Sequence, residues 1–367
     1  MLNKIHIDNY KSLVNFDLEL DRMTILLGEN GTGKSTIFEV LRKIQLFLAG
    51  EAKVDQLFSF LDRCRWQNVL TQTFELDFTA LDDRGLYHYV LVIEHTKEGD
   101  KAKVKEEKLF LDGKPLFGFE HGEIQLYNDF SKLGPKFPFD WSQSGLATIY
   151  SRQDNKRLTE FKEQLSRMVI AQIIPSMMGT DSSERGEFLP SKNLENYVSW
   201  YRNISQDQGL VNRLTKTLHD VLENFDSFRF VAYGTKLLLE AKFSYDDIKN
   251  DVTYKLDELS DGQRMLIALY TLLEAARSEH YILCLDEPEN FVSLPEIQPW
   301  LNAIYDVSSD NKSQALLISH HPEVIDLFST HARWLERPNG LATRISSLPE
   351  SDDDLRVSEI IARRWLK

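Results

Sequence analysis

The stretch from residue 23 to residue 36, MTILLGENGTGKST, decides the fold of this chain. Its apolar start at residues 23–27 predicts a buried strand, which leads directly into the pattern G-x-x-x-x-G-K-[ST] at residues 28–35. The glycines of this pattern let the backbone curl so that successive N–H groups point at phosphate oxygens. We expect an amphipathic helix at residues 34–49, whose positive end adds to the same field. The sequence therefore predicts a phosphate-binding loop rather than a Gly-rich turn without a ligand.

Two side chains of this loop indicate which ligands it would take. Lys34 would reach the β- and γ-phosphates of a nucleotide, because the motif carries a lysine where the helix begins. The neighbouring Ser35 hydroxyl would ligate Mg²⁺. We therefore expect ATP and Mg²⁺ as the cofactors.

A second motif, ILCLDEP at residues 282–288, is an apolar strand that ends in two acids. This pattern predicts that Asp286 lies at the carboxyl edge of a sheet, near the metal, and that Glu287 polarises an attacking water. The alternative is an acidic strand end followed by a turn, which is common. The phosphate-loop motif upstream favours the catalytic interpretation.

A third motif, LSDGQR at residues 259–264, predicts that Ser260 caps an amphipathic helix that runs to about residue 278. A helix N-terminus that carries a serine and a glycine, here Ser260 and Gly262, is itself a receptor for phosphate. An ordinary capped helix is the alternative. The position of the motif shortly before Asp286 favours the phosphate receptor.

A fourth motif, LLISHHP at residues 316–322, is an apolar strand that ends in His320 and His321. A neutral imidazole at such a strand end can hydrogen-bond a γ-phosphate or an attacking water. A single histidine in this position is usually structural. The presence of the three other motifs favours a functional role.

The rest of the chain alternates between strand-like and helix-like patterns, which predicts an α/β protein. The helical segments keep no long heptad repeat, so we expect no long coiled coil. We interpret Asp352, Asp353 and Asp354 as a solvated loop rather than a metal triad. Strands are expected at residues 2–8, 14–20, 73–128 (as a meander), 227–258, 281–285 and 315–318, and helical segments near 157–170, 191–204, 208–224 and 261–278.

Composition restricts the class of protein. Hydrophobic residues make up 42% and charged residues 27%, and no stretch approaches the roughly 20 apolar residues of a membrane helix. Two cysteines and the absence of a signal-peptide pattern predict a soluble, cytoplasmic protein without membrane contact. The net charge of −14 gives no support to broad nucleic-acid binding, although a local basic patch formed by folding stays an alternative.

The order of the four motifs resembles that of ABC-type ATPases. The N-terminal sequence IHIDNYKSL, at residues 5–13, resembles the RecF, SMC and OLD branch of these proteins rather than the transporter branch. The phrases SKNLENYVSWYR, DELSDGQRMLIALYTLL, LCLDEPENFV and LISHHPE resemble a bacterial group of stand-alone OLD-like ATPases. The short sequence after His321 predicts that the TOPRIM domain of OLD nucleases is lacking.

This resemblance implies a role for each matching residue. Glu287 would be the catalytic base and His320 the switch histidine, with His321 as the second candidate. Asp286 would hold Mg²⁺ through water, together with Ser35. Residues 290–293 would cross a dimer interface, and the acid Asp261 stands where many relatives have glycine. The residues implied to contact ATP are Asn30, Gly31, Thr32, Gly33, Lys34, Ser35, Thr36, Gln143 as the Q-loop glutamine, Ser260, Gly262 and Gln263.

The implied fold is an α/β P-loop NTPase of the ABC-ATPase head type. It would combine a mainly parallel core sheet with an antiparallel β subdomain and a helical subdomain. We expect a single head made of four segments, with a compact helical insert in place of the long coiled coil of SMC-like relatives. These segments are residues 1–143, 144–258, 259–345 and 346–367.

The implied function is an ATP-gated homodimer that hydrolyses ATP and controls a separate effector protein, a nuclease or a toxin, in bacterial anti-phage defence. The first alternative is a RecF-like DNA-repair or chromosome-maintenance ATPase that binds DNA. The nucleotide-binding subunit of a transporter is less consistent with the early strand pair and the helical insert. A simple P-loop kinase would leave the LSDGQ motif and the strand-end histidine unexplained.

Overall fold

A computed structural model describes residues 1–82, 84–97, 99, 101–182, 187–245, 251–309, 313–346, 348 and 356–364. The aspartates at residues 352–354 lie outside these described residues.

In chain order, the strands are β1 (Leu2–Asp8), β2 (Phe16–Glu19), β3 (Met23–Gly28), β4 (Thr71–Thr79), β5 (Leu86–His95), β6 (Ala102–Leu111), β7 (Lys114–Glu120), β8 (Glu123–Tyr127), β9 (Leu133–Pro138), β10 (Met168–Ala171), β11 (Phe225–Tyr233), β12 (Lys236–Phe243), β13 (Val252–Lys255), β14 (Ile282–Asp286), β15 (Gln314–Ile318), β16 (Ala332–Glu336) and β17 (Arg344–Ser346).

The helices predicted at residues 34–49, 208–224 and 261–278 are observed, whereas the helix predicted near residues 191–204 begins only at Tyr197. In chain order, the helices are α1 (Lys34–Leu48), α2 (Val54–Leu57), α3 (Lys156–Ser166), α4 (Tyr197–Ile204), α5 (Gln208–Val221), α6 (Asp261–Ser278), α7 (Leu294–Ser309), α8 (Pro322–Leu327) and α9 (Val357–Arg364). Within the described residues, no helix is long and apolar enough to cross a membrane. The chain divides into two compact units, residues 1–168 with 330–350, and residues 169–329 with 351–367. The expected single head with the four segments named above stays a prediction.

The first unit contains an antiparallel sheet in the order β2-β1-β4-β5-β6-β7-β8-β9. Buried and partly exposed residues alternate along β4 and β5, because one face of the sheet covers a core. Phe74, Phe78 and Tyr89 are among the fully buried side chains of that face. The predicted strand pair and the predicted meander are therefore confirmed, and β9 adds one strand that the pattern did not indicate.

The first unit also holds the strand that precedes the phosphate loop. All six residues of β3 are buried, and β16 pairs with β3 in parallel, while β17 pairs with β16 antiparallel. Because β3 is covered on both faces, its sequence is a continuous apolar run rather than an alternating one. This run ends at Gly28, and α1 begins at Lys34 as the sequence predicts.

The second unit is organised around α6, which is buried along most of its length. Strands β14 and β15 pair in parallel, and β10 lies beside β14. The indole Nε1 of Trp300, on α7, donates a hydrogen bond to the Leu269 carbonyl at 3.1 Å and ties α7 to α6. A separate antiparallel sheet follows the order β11-β12-β13, as expected for residues 227–258.

One predicted helix ends too late. The sequence indicated a helical segment near residues 157–170, but α3 ends at Ser166 and residues 168–171 form β10. All four residues of β10, MVIA, are buried. An apolar run this short has no readable period, so its neighbours in the fold decide between helix and strand.

A buried acid fixes the loop that follows the meander. Glu107 on β6 is fully buried, and its carboxylate accepts hydrogen bonds from the Ser144 hydroxyl at 2.6 Å, the Gly145 N–H at 2.8 Å and the Tyr89 hydroxyl at 3.1 Å. Burial raises the pKa of Glu107 to about 7, although these donors oppose the shift. On the other side of the loop, Lys162 donates to the carbonyl of Leu146 at 3.1 Å.

We predict that Glu107 makes the protein less stable as the pH rises. Its folded pKa of about 7 lies above the ordinary value of 4.5, so its stabilising contribution is present below pH 4.5 and is lost as the pH rises through 7. In urea unfolding followed by circular dichroism, the stability of wild type relative to Glu107→Gln should fall by about 3 kcal/mol between pH 4 and pH 8. Glu106→Gln, on the same strand, is the control. An equal pH dependence of both differences would contradict the prediction.

Candidate nucleotide site

The phosphate loop has the backbone geometry that its glycines allow. Gly28, Gly31 and Gly33 have φ angles of 143°, 79° and 98°, which side-chain-bearing residues rarely adopt. The ammonium group of Lys34 donates to the carbonyl oxygens of Gly28 at 2.7 Å and Glu29 at 3.0 Å. The lysine is thus folded over the loop with its charge held at the loop mouth.

The positive end of α1 faces the same loop. The first hydrogen bond of the helix runs from the Ile37 N–H to the Gly33 carbonyl at 3.2 Å. The first turn of a helix directs its N–H groups toward the residues that precede it, here the loop, and such a helix N-terminus favours an anion. The Ser35 side chain is exposed at this end, as a hydroxyl that ligates Mg²⁺ must be. The loop residues thus fit the phosphates of a nucleotide.

The remaining predicted loop residues differ in exposure. Asn30 and Gly31 are exposed, Thr36 is half-buried, and Thr32 is buried. The Thr32 hydroxyl donates to the Glu29 carbonyl at 2.8 Å, so this side chain shapes the loop from within. All of the residues predicted at 30–36 lie on this loop or on the first turn of α1.

The second unit brings the catalytic candidates together. Asp286 ends β14 and is 8% exposed, and the Glu287 N–H donates to the Ile318 carbonyl at 2.8 Å. Nε2 of His320 lies 3.8 Å from Oε1 of Glu287, and the Asn290 amide donates to Oε2 of Glu287 at 2.8 Å. The carboxylate of Glu287 is therefore held between a histidine and an amide.

Glu287 also has an unusual backbone. Its φ angle is 52°, in the left-handed region where a residue with a side chain is strained. Because the chain turns there, the acid that follows Asp286 leaves the line of the strand. Such strain often marks functional sites, so it favours Glu287 over the neighbouring acids as the functional residue.

A further acid, Glu289, was missed in the sequence. Its side chain is 7% exposed, and its Oε1 accepts from the Ser319 hydroxyl at 2.5 Å and from the His320 N–H at 3.3 Å. Burial raises the pKa of Glu289, and the Ser319 hydroxyl opposes that shift. Glu289 thereby ties the loop after Asp286 to the end of β15. The signal available in the sequence was the third acid of DEPEN, directly after the proline.

The signature segment forms a capped helix start. The Ser260 hydroxyl accepts from the Gln263 N–H at 3.2 Å, and the Gln263 side-chain oxygen accepts from the Ser260 N–H at 3.0 Å. A Cβ on Gly262 would lie 3.1 Å from the Phe291 carbonyl oxygen, so the loop at residues 290–293 passes directly over this glycine. The structure therefore shows the predicted capped helix start. Ser260 is exposed at this helix end.

Asp261 is paired within its own helix turn. Its Oδ1 lies 2.7 Å from Nη2 of Arg264, whose Nη1 donates to the Pro175 carbonyl at 2.9 Å. The negative charge of Asp261 is thus balanced locally by a guanidinium that the fold holds in place. His321 has a structural role, because its Nδ1 accepts from the Glu323 N–H at 3.3 Å and caps α8.

Gln143 lies away from the phosphate loop. Its neighbour Ser142 accepts a hydrogen bond from the Val54 N–H at 2.9 Å, and a Cβ on Gly50 would lie 3.6 Å from Ala147. These contacts put Gln143 beside the C-terminal end of α1, and a 15-residue helix separates its ends by about 20 Å. The structure therefore does not bring Gln143 to the residues at 30–36.

Gln172 is a further glutamine at the end of a strand, which the sequence analysis did not single out. It follows directly after β10, the neighbour of the strand that ends in Asp286, and its N–H donates to the Lys192 carbonyl at 2.8 Å. The signal was the run MVIAQ at residues 168–172, an apolar strand that ends in a polar residue as the other motif strands do. The helical interpretation of residues 157–170 concealed it.

A comparison with known proteins identifies a family. The family model described as AAA domain, putative AbiEii toxin, Type IV TA system matches residues 23–326. No curated protein matches the chain.

Two solved structures share the fold. The SmcHead bound to the C-winged helix domain of ScpA has a TM-score of 0.52 and 13% identity, over 95% of this chain and 98% of that chain. The Smc head domain with an extended coiled coil, bound to the C-terminal domain of ScpA derived from Pyrococcus furiosus, has a TM-score of 0.52 and 11% identity, over 100% and 99%. Such similarity shows the fold alone, and it confirms the predicted α/β P-loop fold of the SMC-head type.

We predict that Ser319→Ala lowers the free energy of unfolding by about 1–3 kcal/mol, because the buried Glu289 carboxyl loses its closest donor. The matched control is Ser308→Ala, also buried, whose hydroxyl only bonds the Ile304 carbonyl of its own helix. Urea unfolding followed by tryptophan fluorescence compares the two variants. Equal losses would show that the stability does not depend on the hydrogen bond to Glu289.

Proposed function

The chain belongs to the family described as AAA domain, putative AbiEii toxin, Type IV TA system, and from this premise we propose that it is an ATP-hydrolysing homodimer that controls a separate effector protein. The observation that carries the proposal is the phosphate loop, where Lys34 lies over glycines of positive φ and Ser35 is exposed at the start of α1. The narrower assignment to stand-alone OLD-like ATPases stays a prediction based on resemblance.

Nucleotide binding is assigned to the loop and its helix. The backbone N–H groups of residues 30–36 and the Lys34 ammonium would hold the phosphates, except the Thr32 N–H, which donates to the Glu29 carbonyl at 3.4 Å. Bound Mg²⁺, with Ser35 and Asp286 as its protein-side partners, would neutralise phosphate charge. We assign the glutamine of the site to Gln172 instead of Gln143, on the strength of its position after β10.

Hydrolysis is assigned to Glu287. Its carboxylate would accept a proton from the attacking water, since it is the strand-end acid that the backbone turns away from β14. His320, 3.8 Å from this carboxylate, would donate to or orient the same water or the γ-phosphate. The Asn290 amide supports the assignment because it fixes one carboxylate oxygen and leaves the other for the water.

In the proposed homodimer, each nucleotide site would combine residues of two copies of the chain. Ser260, Gly262 and Gln263 stand at the start of α6, an exposed helix N-terminus suited to the γ-phosphate of a nucleotide on a second copy. The loop at residues 290–293 lies over Gly262 and carries Phe291, whose side chain is 53% exposed. A two-fold arrangement would use each surface twice, so two equivalent sites would form.

The effector is proposed from the family description. That description names a putative AbiEii toxin and a type IV toxin–antitoxin system, which agrees with a role in bacterial anti-phage defence through a nuclease or toxin. The RecF-like alternative, a DNA-binding repair or chromosome-maintenance ATPase, receives no support from a net charge of −14. A salt-sensitive complex with duplex DNA would favour that alternative.

We predict that Glu287→Gln forms a stable dimer when ATP and Mg²⁺ are present, because the variant binds ATP without the base that starts hydrolysis. Light scattering should report a doubled mass with ATP and the monomer mass with ADP. Glu279→Gln makes the same charge change at an exposed residue and should behave as wild type. A Glu287→Gln variant that binds ATP and stays monomeric would contradict the proposed dimer.

We also predict that two inactive variants complement each other. Lys34→Ala removes the phosphate-loop lysine and Ser260→Arg blocks the signature, so each variant alone should be inactive. In a mixed dimer one site combines an intact loop with an intact signature, so an equal mixture should recover about a quarter of wild-type activity. Phosphate release measures the rate. No recovery from variants that still form mixed dimers would show that the loop and the signature do not act across the interface.

A further inference from the structure

The N-terminal motif IHIDNYKSL has no role in the function proposed above, and its last residues contact the phosphate loop and its helix. Asn9 is fully buried, and its amide donates to the carbonyls of Val69 at 3.0 Å and Thr71 at 2.7 Å. The Tyr10 hydroxyl donates to Glu39 of α1 at 2.8 Å. Asn9 and Tyr10 therefore anchor the end of the motif, which contains Ser12.

Ser12 and Thr343 join the loop through hydroxyl groups. The Thr343 hydroxyl lies 2.8 Å from the Thr32 carbonyl and 2.9 Å from the Ser12 hydroxyl, and Thr343 is fully buried. A carbonyl can only accept, so the Thr343 hydroxyl donates to Thr32 and accepts from Ser12. The Thr343 N–H also donates to the Ser12 carbonyl at 2.9 Å. Residues far apart in the sequence thus hold one peptide group of the loop.

Arg337 holds the neighbouring peptide group. Its Nη1 donates to the Gly31 carbonyl at 3.1 Å, while its Nε and Nη2 donate to the carbonyls of Leu341 at 2.9 Å and Gly340 at 2.5 Å. The last two bonds fix the guanidinium within its own turn. The side chain therefore reaches the loop in a set orientation.

Each held carbonyl determines the direction of an N–H group. The peptide unit is planar and trans, so the oxygen of Thr32 and the N–H of Gly33 point in opposite directions. When Thr343 binds the Thr32 oxygen, the Gly33 N–H is directed away from Thr343. Arg337 fixes the orientation of the peptide unit between Gly31 and Thr32 in the same way, and the N–H of that unit donates to the Glu29 carbonyl at 3.4 Å within the loop.

We propose that Ser12, Arg337 and Thr343 form a phosphate-loop clasp, which holds the loop in its nucleotide-binding conformation before nucleotide arrives. They are positioning residues, because they bind carbonyls of the loop. Thr343 leaves the Gly33 N–H for the phosphates, and Arg337 holds the turn that the Thr32 N–H closes with the Glu29 carbonyl. Without them, ATP would have to order the loop itself, at a cost in affinity. The inference rests on the proposed nucleotide binding and adds a determinant of ATP affinity outside the four motifs.

Matched pairs of variants test the clasp by calorimetric titration with ATP. Arg337→Gln should bind ATP about five- to tenfold more weakly than wild type, the size of effect expected for one lost hydrogen bond. The control Arg333→Gln makes the same change on β16, where Arg333 pairs with Asp21 at 2.6 Å instead of the loop. Thr343→Val should weaken ATP binding similarly, and Thr343→Ser should restore it because it keeps the hydroxyl.

A second titration separates loop positioning from general structural damage. AMP lacks the β- and γ-phosphates, so the clasp variants should change AMP affinity far less than ATP affinity. Equal losses for both nucleotides, or an Arg337→Gln variant that matches Arg333→Gln, would overturn the inference. If Thr343→Val does not fold, the arginine pair decides. A wild-type protein that binds no ATP would instead refute the proposed function, which keeps the two failures distinct.

Discussion

The passage of one backbone over another at Gly28 is the constraint on which the candidate nucleotide site depends. A Cβ at Gly28 would lie 2.2 Å from the carbonyl oxygen of Leu335, a distance that real atoms do not reach. Strand β16 can therefore pair with β3 and continue past the loop only because residue 28 is glycine. The same close approach brings Arg337 and Thr343 within hydrogen-bonding distance of Gly31 and Thr32. The shape of the loop is thus determined by local glycines and by a segment from the other end of the sequence.

The elements that depend only on neighbouring residues of the sequence could be predicted from it. The strand β3, the helix α1 and the helix at Asp261–Ser278 follow from apolar periodicity and capping residues, which operate over a few positions. The tertiary partners of these elements could not be predicted in the same way. Arg337 and Thr343 meet the loop across some three hundred residues, and no local pattern records that contact. The sequence analysis did not single out Gln172 for a related reason. The strand before it, β10, is recognised as a strand only because it lies beside β14 in the fold.

The buried carboxyl of Glu289 gives the catalytic candidates a common frame. A buried carboxyl costs free energy unless it is hydrogen-bonded. Here Oε1 accepts from the Ser319 hydroxyl and the His320 N–H, whereas the buried Oε2 has no hydrogen-bond partner among the described residues. These donors belong to the end of β15, whereas Glu289 belongs to the loop that begins at Asp286. The two bonds to Oε1 therefore join these loops beside Glu287 and His320, whose side chains lie 3.8 Å apart.

The aspartate of the signature motif can be explained by the same kind of local balance. An acid at the first position of a helix is favoured by the helix dipole, but it would repel a phosphate placed at the same helix end. The pairing of Asp261 with Arg264 resolves this conflict, since the guanidinium is anchored by the Pro175 carbonyl and cancels the charge of the acid. The start of α6 then presents the backbone N–H groups of Asp261 and Gly262 without a net negative charge, while the Ser260 N–H and hydroxyl bond to the Gln263 side chain. An aspartate next to Gly262 is therefore compatible with phosphate recognition as long as Arg264 stays in place.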